Sequence, residues 1–150
     1  MMNLPFQMRM KKYSILLVDD DDDILFHYKN ILCNNDFNVD CVSYGEQAVA
    51  KMKEKRYDLA ILDIMLPDIR GDKLALELRA IDPNILLIFI TGFSYMDYCI
   101  TALDIGISEI LVKPLTATEL INSINNNLPG LSHCAPSDPV RSYRLRAHLP

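Results

Sequence analysis

Residues 19–23 are five consecutive aspartates, and they directly follow an apolar run at residues 13–18. That run is short, apolar and without helical spacing, as a buried strand is, so the charges gather at a strand's end. Two carboxylates about 4 Å apart repel by roughly 4 kcal/mol at an effective dielectric near 20, and burying them unpaired costs more. A hard dication relieves the repulsion. Mg²⁺ is held through one or two carboxylates, keeps several waters and works on phosphates. Helix capping is the competing use, because aspartate favours a helix N-terminus. Both uses coexist if Asp19 and Asp20 face a pocket while residues 21–23 open the following helix.

Three further residues stand where chemistry is expected. Asp63 is the only charge in the apolar run 59–64, LAILDI, where a lone acid is expensive without a partner or a metal. Thr91 and Gly92 end the apolar run 85–90, giving a hydroxyl and an unhindered backbone. Lys113 and Pro114 end a short run at 110–112.

The elements that carry them alternate. After the aspartates, Ile24, Tyr28, Ile31 and Leu32 share one helical face, with Asn34 and Asn35 as a stop signal. Phe37, Val39 and Cys41 alternate with polar residues, the pattern of a strand with one wet face at a sheet edge. Gly45 ends that strand, and EQAVAKMKEK at 46–55 is an amphipathic helix. The strand 59–64 leads into the loop LPDIRG and a helix through Leu74, Leu78 and Ile81, stopped by Asp82 and Pro83. A strand at 85–90, a helix at 94–104 with Gly106 as terminator, and a strand at 110–112 follow. Thr116 and Glu119 form a capping-box pattern before a last helix through Leu120, Ile121, Ile124 and Leu128.

Five strands alternating with five helices predict an α/β fold with a parallel sheet covered on both faces. In such folds ligands sit outside the carboxyl ends of the strands. Asp19, Asp20, Asp63, Thr91 and Lys113 all lie at such ends. Together they supply metal ligands, a nucleophilic carboxylate, a hydroxyl and a cation for an oxyanion, the requirements for phosphoryl transfer to an aspartate.

Composition sets bounds. The chain has 150 residues, half of them apolar, enough for one core. Residues 1–12, with Pro5 and no clear period, read as a flexible leader, 13–128 as the folded domain, and 129–150 as a flexible tail or linker stub. Between 13 and 128 there are 9 basic against 19 acidic residues, which argues against nucleic-acid binding by this domain. Cys33, Cys41, Cys99 and Cys134 show no CxxC or histidine clustering and read as buried reduced thiols. The sequence has no apolar stretch of membrane-spanning length and no signal-peptide pattern, so a cytoplasmic protein without membrane association is expected.

ILLVDDD, LAILDIMLPDIRG, FITG and LVKP resemble the four motifs of the response-regulator receiver domain of two-component signalling, the CheY-like phosphoacceptor domain, over about residues 13–128. The resemblance implies a flavodoxin-like doubly wound five-stranded sheet of order 2-1-3-4-5. It implies Asp63 as phosphoacceptor, charged from the phosphohistidine of a sensor histidine kinase or phosphotransfer protein. Mg²⁺ would be held by Asp19, Asp20, Asp63 and the backbone carbonyl of Met65, with Asp19 acting largely through water, while Thr91 and Lys113 hold phosphoryl oxygens. The Lys113–Pro114 bond is cis in the family. Such a domain is a signalling module, not an enzyme beyond catalysing its own aspartyl phosphorylation and dephosphorylation. Its output face is formed by the helix expected at 94–104, the fifth strand and the last helix. A homodimer or a downstream output domain or protein would use that face.

One departure stands out: the family places an aromatic three residues before the lysine, and this chain has Ile110. A smaller activation-linked change on the output face is therefore expected. Met65 and Phe93 flank the phosphoryl position without a side chain that orients water, so a long-lived phosphoaspartate is expected. Two alternatives remain. A receiver-like docking or dimerisation module would dispense with phosphorylation. The haloacid dehalogenase-like phosphatases share a DxD after their first strand, matched by Asp19 and Asp21, but Asp23 departs from their pattern and no acidic pair follows Lys113.

Overall fold

A computed structural model describes residues 12–92 and 105–129, together with the backbone of Ser142–Arg144. The element order is β1 (Ser14–Val18), α1 (Asp22–Asn34), β2 (Asn38–Val42), α2 (Gly45–Glu54), β3 (Leu59–Asp63), α3 (Gly71–Ile81), β4 (Leu86–Thr91), β5 (Glu109–Val112), α4 (Ala117–Asn127) and β6 (Ser142–Arg144). The helix expected at 94–104 lies outside the described residues, as do Phe93, residues 1–11 of the expected leader at 1–12, Cys99 and Cys134.

The first five strands are parallel in the order β2-β1-β3-β4-β5, as the flavodoxin-like reading requires. β6 adds an antiparallel sixth strand beside β5, pairing Leu111 with Ser142, Ile110 with Tyr143 and Glu109 with Arg144. It falls within the stretch expected to be a flexible tail. No period-two pattern long enough to announce a strand exists there, because three residues are too few to show one.

Period-two alternation divides the sheet's side chains between two layers. Leu16, Val18, Ala60, Leu62, Leu87, Phe89 and Ile110 pack with Ala48 and Met52 of α2 and with Leu74 and Leu78 of α3. Ile15, Leu17, Leu59, Ile61, Ile88, Ile90 and Leu111 pack on the other side with Leu25, Tyr28 and Leu32 of α1 and with Leu120 and Ile124 of α4. Strands buried on both faces are therefore continuous apolar runs. β2, with Asn38 and Asp40 alternating with apolar residues, is only partly buried, and it lies at the sheet edge.

Local signals explain the boundaries. Asp21 is the N-cap of α1, its carboxylate accepting from the N–H groups of Asp23 and Ile24. The helix stops at Asn35, and Asp36 takes a left-handed φ of 67°, a conformation that Asp tolerates better than most residues. Gly45 does not end β2 but begins α2: Gln47 reaches back to accept from the backbone N–H groups of Ser43 and Tyr44, setting the helix start. Gly106 has φ 85°, consistent with its reading as a terminator. The Thr116–Glu119 capping box is formed in both directions, at 3.1 and 2.9 Å.

The cysteines need a correction. Cys33 is exposed and Cys41 only half-buried, both as free thiols. Cys33 lies on the wet side of α1 and Cys41 on the edge strand, so an apolar neighbourhood in sequence did not become burial.

Candidate functional site

β1 and β3 are neighbours within the sheet, and an aspartate stands at the carboxyl end of each. Asp19 follows β1 and is only 3 % exposed, while Asp63 closes β3 at 7 %. The N–H of Asp19 donates to the Val42 carbonyl, which holds the turn out of β1 against β2. Its carboxylate is committed on both oxygens. Oδ1 accepts from the Asp21 N–H at 3.0 Å, and Oδ2 accepts from Lys113 Nζ at 2.7 Å. Asp63 is held similarly: Oδ1 accepts from the Met65 N–H at 3.1 Å and Oδ2 from Lys113 Nζ at 3.1 Å.

Lys113 therefore bridges the two buried acids. It follows β5, where its own N–H donates to the Thr91 carbonyl at 2.8 Å, and the Lys113–Pro114 peptide is cis, as the resemblance implied. Burial alone would lower the ammonium's pKa, but its bonds to Asp19 and Asp63 outweigh that and hold it above the ordinary value. Burial pushes the Asp19 carboxyl up, with Lys113 and the Asp21 N–H pulling the other way without fully offsetting it.

Asp20 is exposed, yet its carboxylate closes the group. One ligand oxygen from each of Asp19, Asp20 and Asp63 lies within 4.8 Å of the others. Three carboxylates and one ammonium leave two net negative charges in this space. All-oxygen donors with residual negative charge suit a hard dication such as Mg²⁺. Met65 is partly exposed, and its N–H faces Asp63 while a bridge pairs it with Arg70. Thr91, wholly buried, pairs in register with Val112 and lies one step beyond Ile90, the partner of Asp63. Its hydroxyl donates to the Gly92 carbonyl at a long 3.4 Å. All five polar residues singled out in the sequence thus stand at one end of one sheet.

Two supporting residues were missed in the sequence. Gly71 packs against the strand end that bears the acid: its N–H donates to the Ile64 carbonyl at 2.6 Å, and a Cβ there would fall 2.4 Å from the Asp63 carbonyl oxygen. Asp68, in the loop after β3, accepts from the N–H groups of Gly45 and Glu46 at 2.9 and 3.0 Å and so caps α2 from another segment. The Pro-Asp and Arg-Gly pairs of LPDIRG signal a turn; they do not show which helix the loop will meet. A cavity of about 430 Å³ beside β2 and α2 includes none of the five polar residues, so the chemistry is located by convergence of charge, not by volume.

Comparison with known proteins agrees with this geometry. The chain is 32% identical over 117 residues to the chemotaxis protein CheY of Bacillus subtilis, covering 77% of this chain and 98% of that one. It is 36% identical over 138 residues to the transcriptional regulatory protein CssR of the same organism, covering 89% of this chain and 61% of CssR. It spans only 26% of the transcriptional regulatory protein ZraR of Salmonella typhimurium, at 30% identity. Among solved structures, a CheY-like receiver domain protein from Methanospirillum hungatei superposes with a TM-score of 0.77 at 28% identity, over 81% of this chain and 97% of that one. With the response regulator receiver domain model matching residues 15–125, the chain belongs to the receiver domain family of two-component response regulators.

Proposed function

We propose that Asp63 accepts a phosphoryl group from the phosphohistidine of a sensor histidine kinase or phosphotransfer protein, in a Mg²⁺-dependent reaction. The observation that carries this reading is the single ammonium of Lys113 set between Asp19 and Asp63. An Asp63 carboxylate oxygen forms the new bond to phosphorus as the P–N bond to the imidazole breaks, and the electron pair leaves with the ring nitrogen. Asp19, Asp20, Asp63 and the Met65 carbonyl would hold Mg²⁺, which when bound supplies charge neutralisation for the phosphoryl oxygens. Lys113 is released from Asp63 to a phosphoryl oxygen, and the Thr91 hydroxyl, whose present bond to Gly92 is long, turns to another.

Phosphorylation replaces one negative charge by roughly two and adds strong acceptors. Backbone arrangements that bring Thr91 and Lys113 to them are favoured, so the signal leaves through the segment after β4, β5 and α4. A downstream output domain or protein, or a second copy, reads that face. The domain acts as a switch and catalyses only its own phosphorylation and dephosphorylation. Among the described residues no helix is long and apolar enough to cross a membrane.

Intact mass after incubation with acetyl phosphate and Mg²⁺ tests the reading. The wild type is expected to gain one phosphoryl group, and Asp63→Asn and a chelated sample none. No gain with Mg²⁺ binding demonstrated would instead favour a docking module.

A further inference from the structure

The two edges of the parallel sheet differ. β2 presents Asn38 and Asp40 among its five residues and is largely half-exposed, the kind of polar edge that discourages pairing with another chain. β5 reads Glu-Ile-Leu-Val, and all four residues are buried. A short apolar strand with free backbone groups is a template for a further strand. In this molecule the template is taken: Ser142–Arg144 lies antiparallel along it.

The connection favours the chain's own segment. Asn127, the last residue of α4, donates through Nδ2 to the Glu109 carboxylate at 2.9 Å, so the chain leaves α4 at the start of β5. β6 begins opposite Leu111, near the other end of β5. Glu109 and Leu111 are about 7 Å apart at the rise of a strand. The residues between, 128–141, reach up to roughly 50 Å when extended, which is length enough for the crossing. A segment tethered this closely is present at an effective concentration in the millimolar range, above that of a second molecule at micromolar concentration.

We propose that Ser142–Arg144 is a displaceable intramolecular cover of the β5 edge, which keeps that edge from pairing with a second copy of this chain. Three paired residues make a short ladder, and ordering them costs backbone entropy that offsets much of the gain. The cover is therefore easily lifted. Because β5 leads directly into Lys113, a cover on β5 sits on the path by which the acidic site would reach a partner. The cover itself does not depend on phosphoryl transfer to Asp63.

The test uses the 150-residue chain and Tyr143→Pro, which removes a donor opposite Ile110 and disfavours a strand at that position. Hydrogen exchange of the Glu109–Val112 amides and sedimentation equilibrium are read together, with acetyl phosphate labelling of Asp63 as a separate check on the site. The wild type is expected to be a monomer. The variant is expected to exchange the outward β5 amides about ten-fold faster when dilute, to dimerise as concentration rises, and to recover protection as it does. Unchanged exchange in the variant overturns the cover. Faster exchange in a variant that stays monomeric at every concentration overturns the shielding. A wild-type dimer in which isotope-labelled subunits contribute 142–144 to each other overturns the intramolecular assignment.

Discussion

Lys113 Nζ and Asp19 Oδ2 lie 2.7 Å apart although 94 residues separate them in sequence. The same nitrogen is 3.1 Å from Asp63. The ammonium neutralises part of the charge that a metal would also answer, so a bound Mg²⁺ would compete with the lysine for the same oxygens.

Lys113→Met should expose that competition. Leaving Asp19 and Asp63 unpaired is expected to lower stability without Mg²⁺ by about 1–3 kcal/mol, below the usual cost of breaking a fully buried pair because Lys113 retains some solvent contact. Mg²⁺ should restore more of the loss than it adds to the wild type. Urea denaturation with and without Mg²⁺ measures both, and an equal Mg²⁺ response in the two proteins would refute the competition.

Gly71→Ala places a methyl group 2.4 Å from the Asp63 carbonyl oxygen and 2.7 Å from Ile64 Cα. Backbone cannot yield as a side-chain tip does. A loss of about 1–3 kcal/mol is expected, with slower labelling of Asp63 by acetyl phosphate. Wild-type labelling in a destabilised variant would show that Gly71 serves packing alone.

Asp68→Ala removes the acceptor for the first N–H groups of α2, and a cost of about 0.5–1 kcal/mol is expected at so exposed a cap. Desolvation would raise the Asp68 pKa, but the N–H groups of Gly45 and Glu46 outweigh it and hold it below 3.8. With the folded value depressed, the contribution is present above pH 3.8 and is lost as pH falls through the folded pKa. Acid titrations of stability should therefore fall less steeply below pH 3.8 for Asp68→Ala than for the wild type.

Ile110 is wholly buried and packs in the same layer as Phe89, its register partner on β4. It has no aromatic ring to swing between inward and outward positions. Beryllofluoride activation, followed by amide NMR, is expected to shift β5 and α4 less than the turns that carry Asp19 and Asp63. Large shifts throughout α4 would contradict this.

How much of this was readable in advance follows from the range of the forces involved. The strands were legible because burial on both faces makes each an apolar run, and the capping of α1 and α4 because Asp21, Thr116 and Glu119 act within a few residues. Placing Asp19, Asp63, Thr91 and Lys113 at one end needed only the parallel alternation. Asp68 and Gly71 were not read as supports because each acts on a partner fixed by tertiary packing, Gly45 for one and the Asp63 backbone for the other. β6 was missed because its pairing depends on an edge elsewhere in the chain. Exposure of Cys33 was missed because an apolar neighbourhood says nothing about which side of α1 it takes.

Synthesis gives the lysine bridge one more meaning. Domains are made from the N-terminus onward, and Lys113 lies 50 residues after Asp63. A nascent chain that has completed β3 already carries both acids but no ammonium between them. Acquiring the lysine is thus a late closing step, which waits for the last parallel strand.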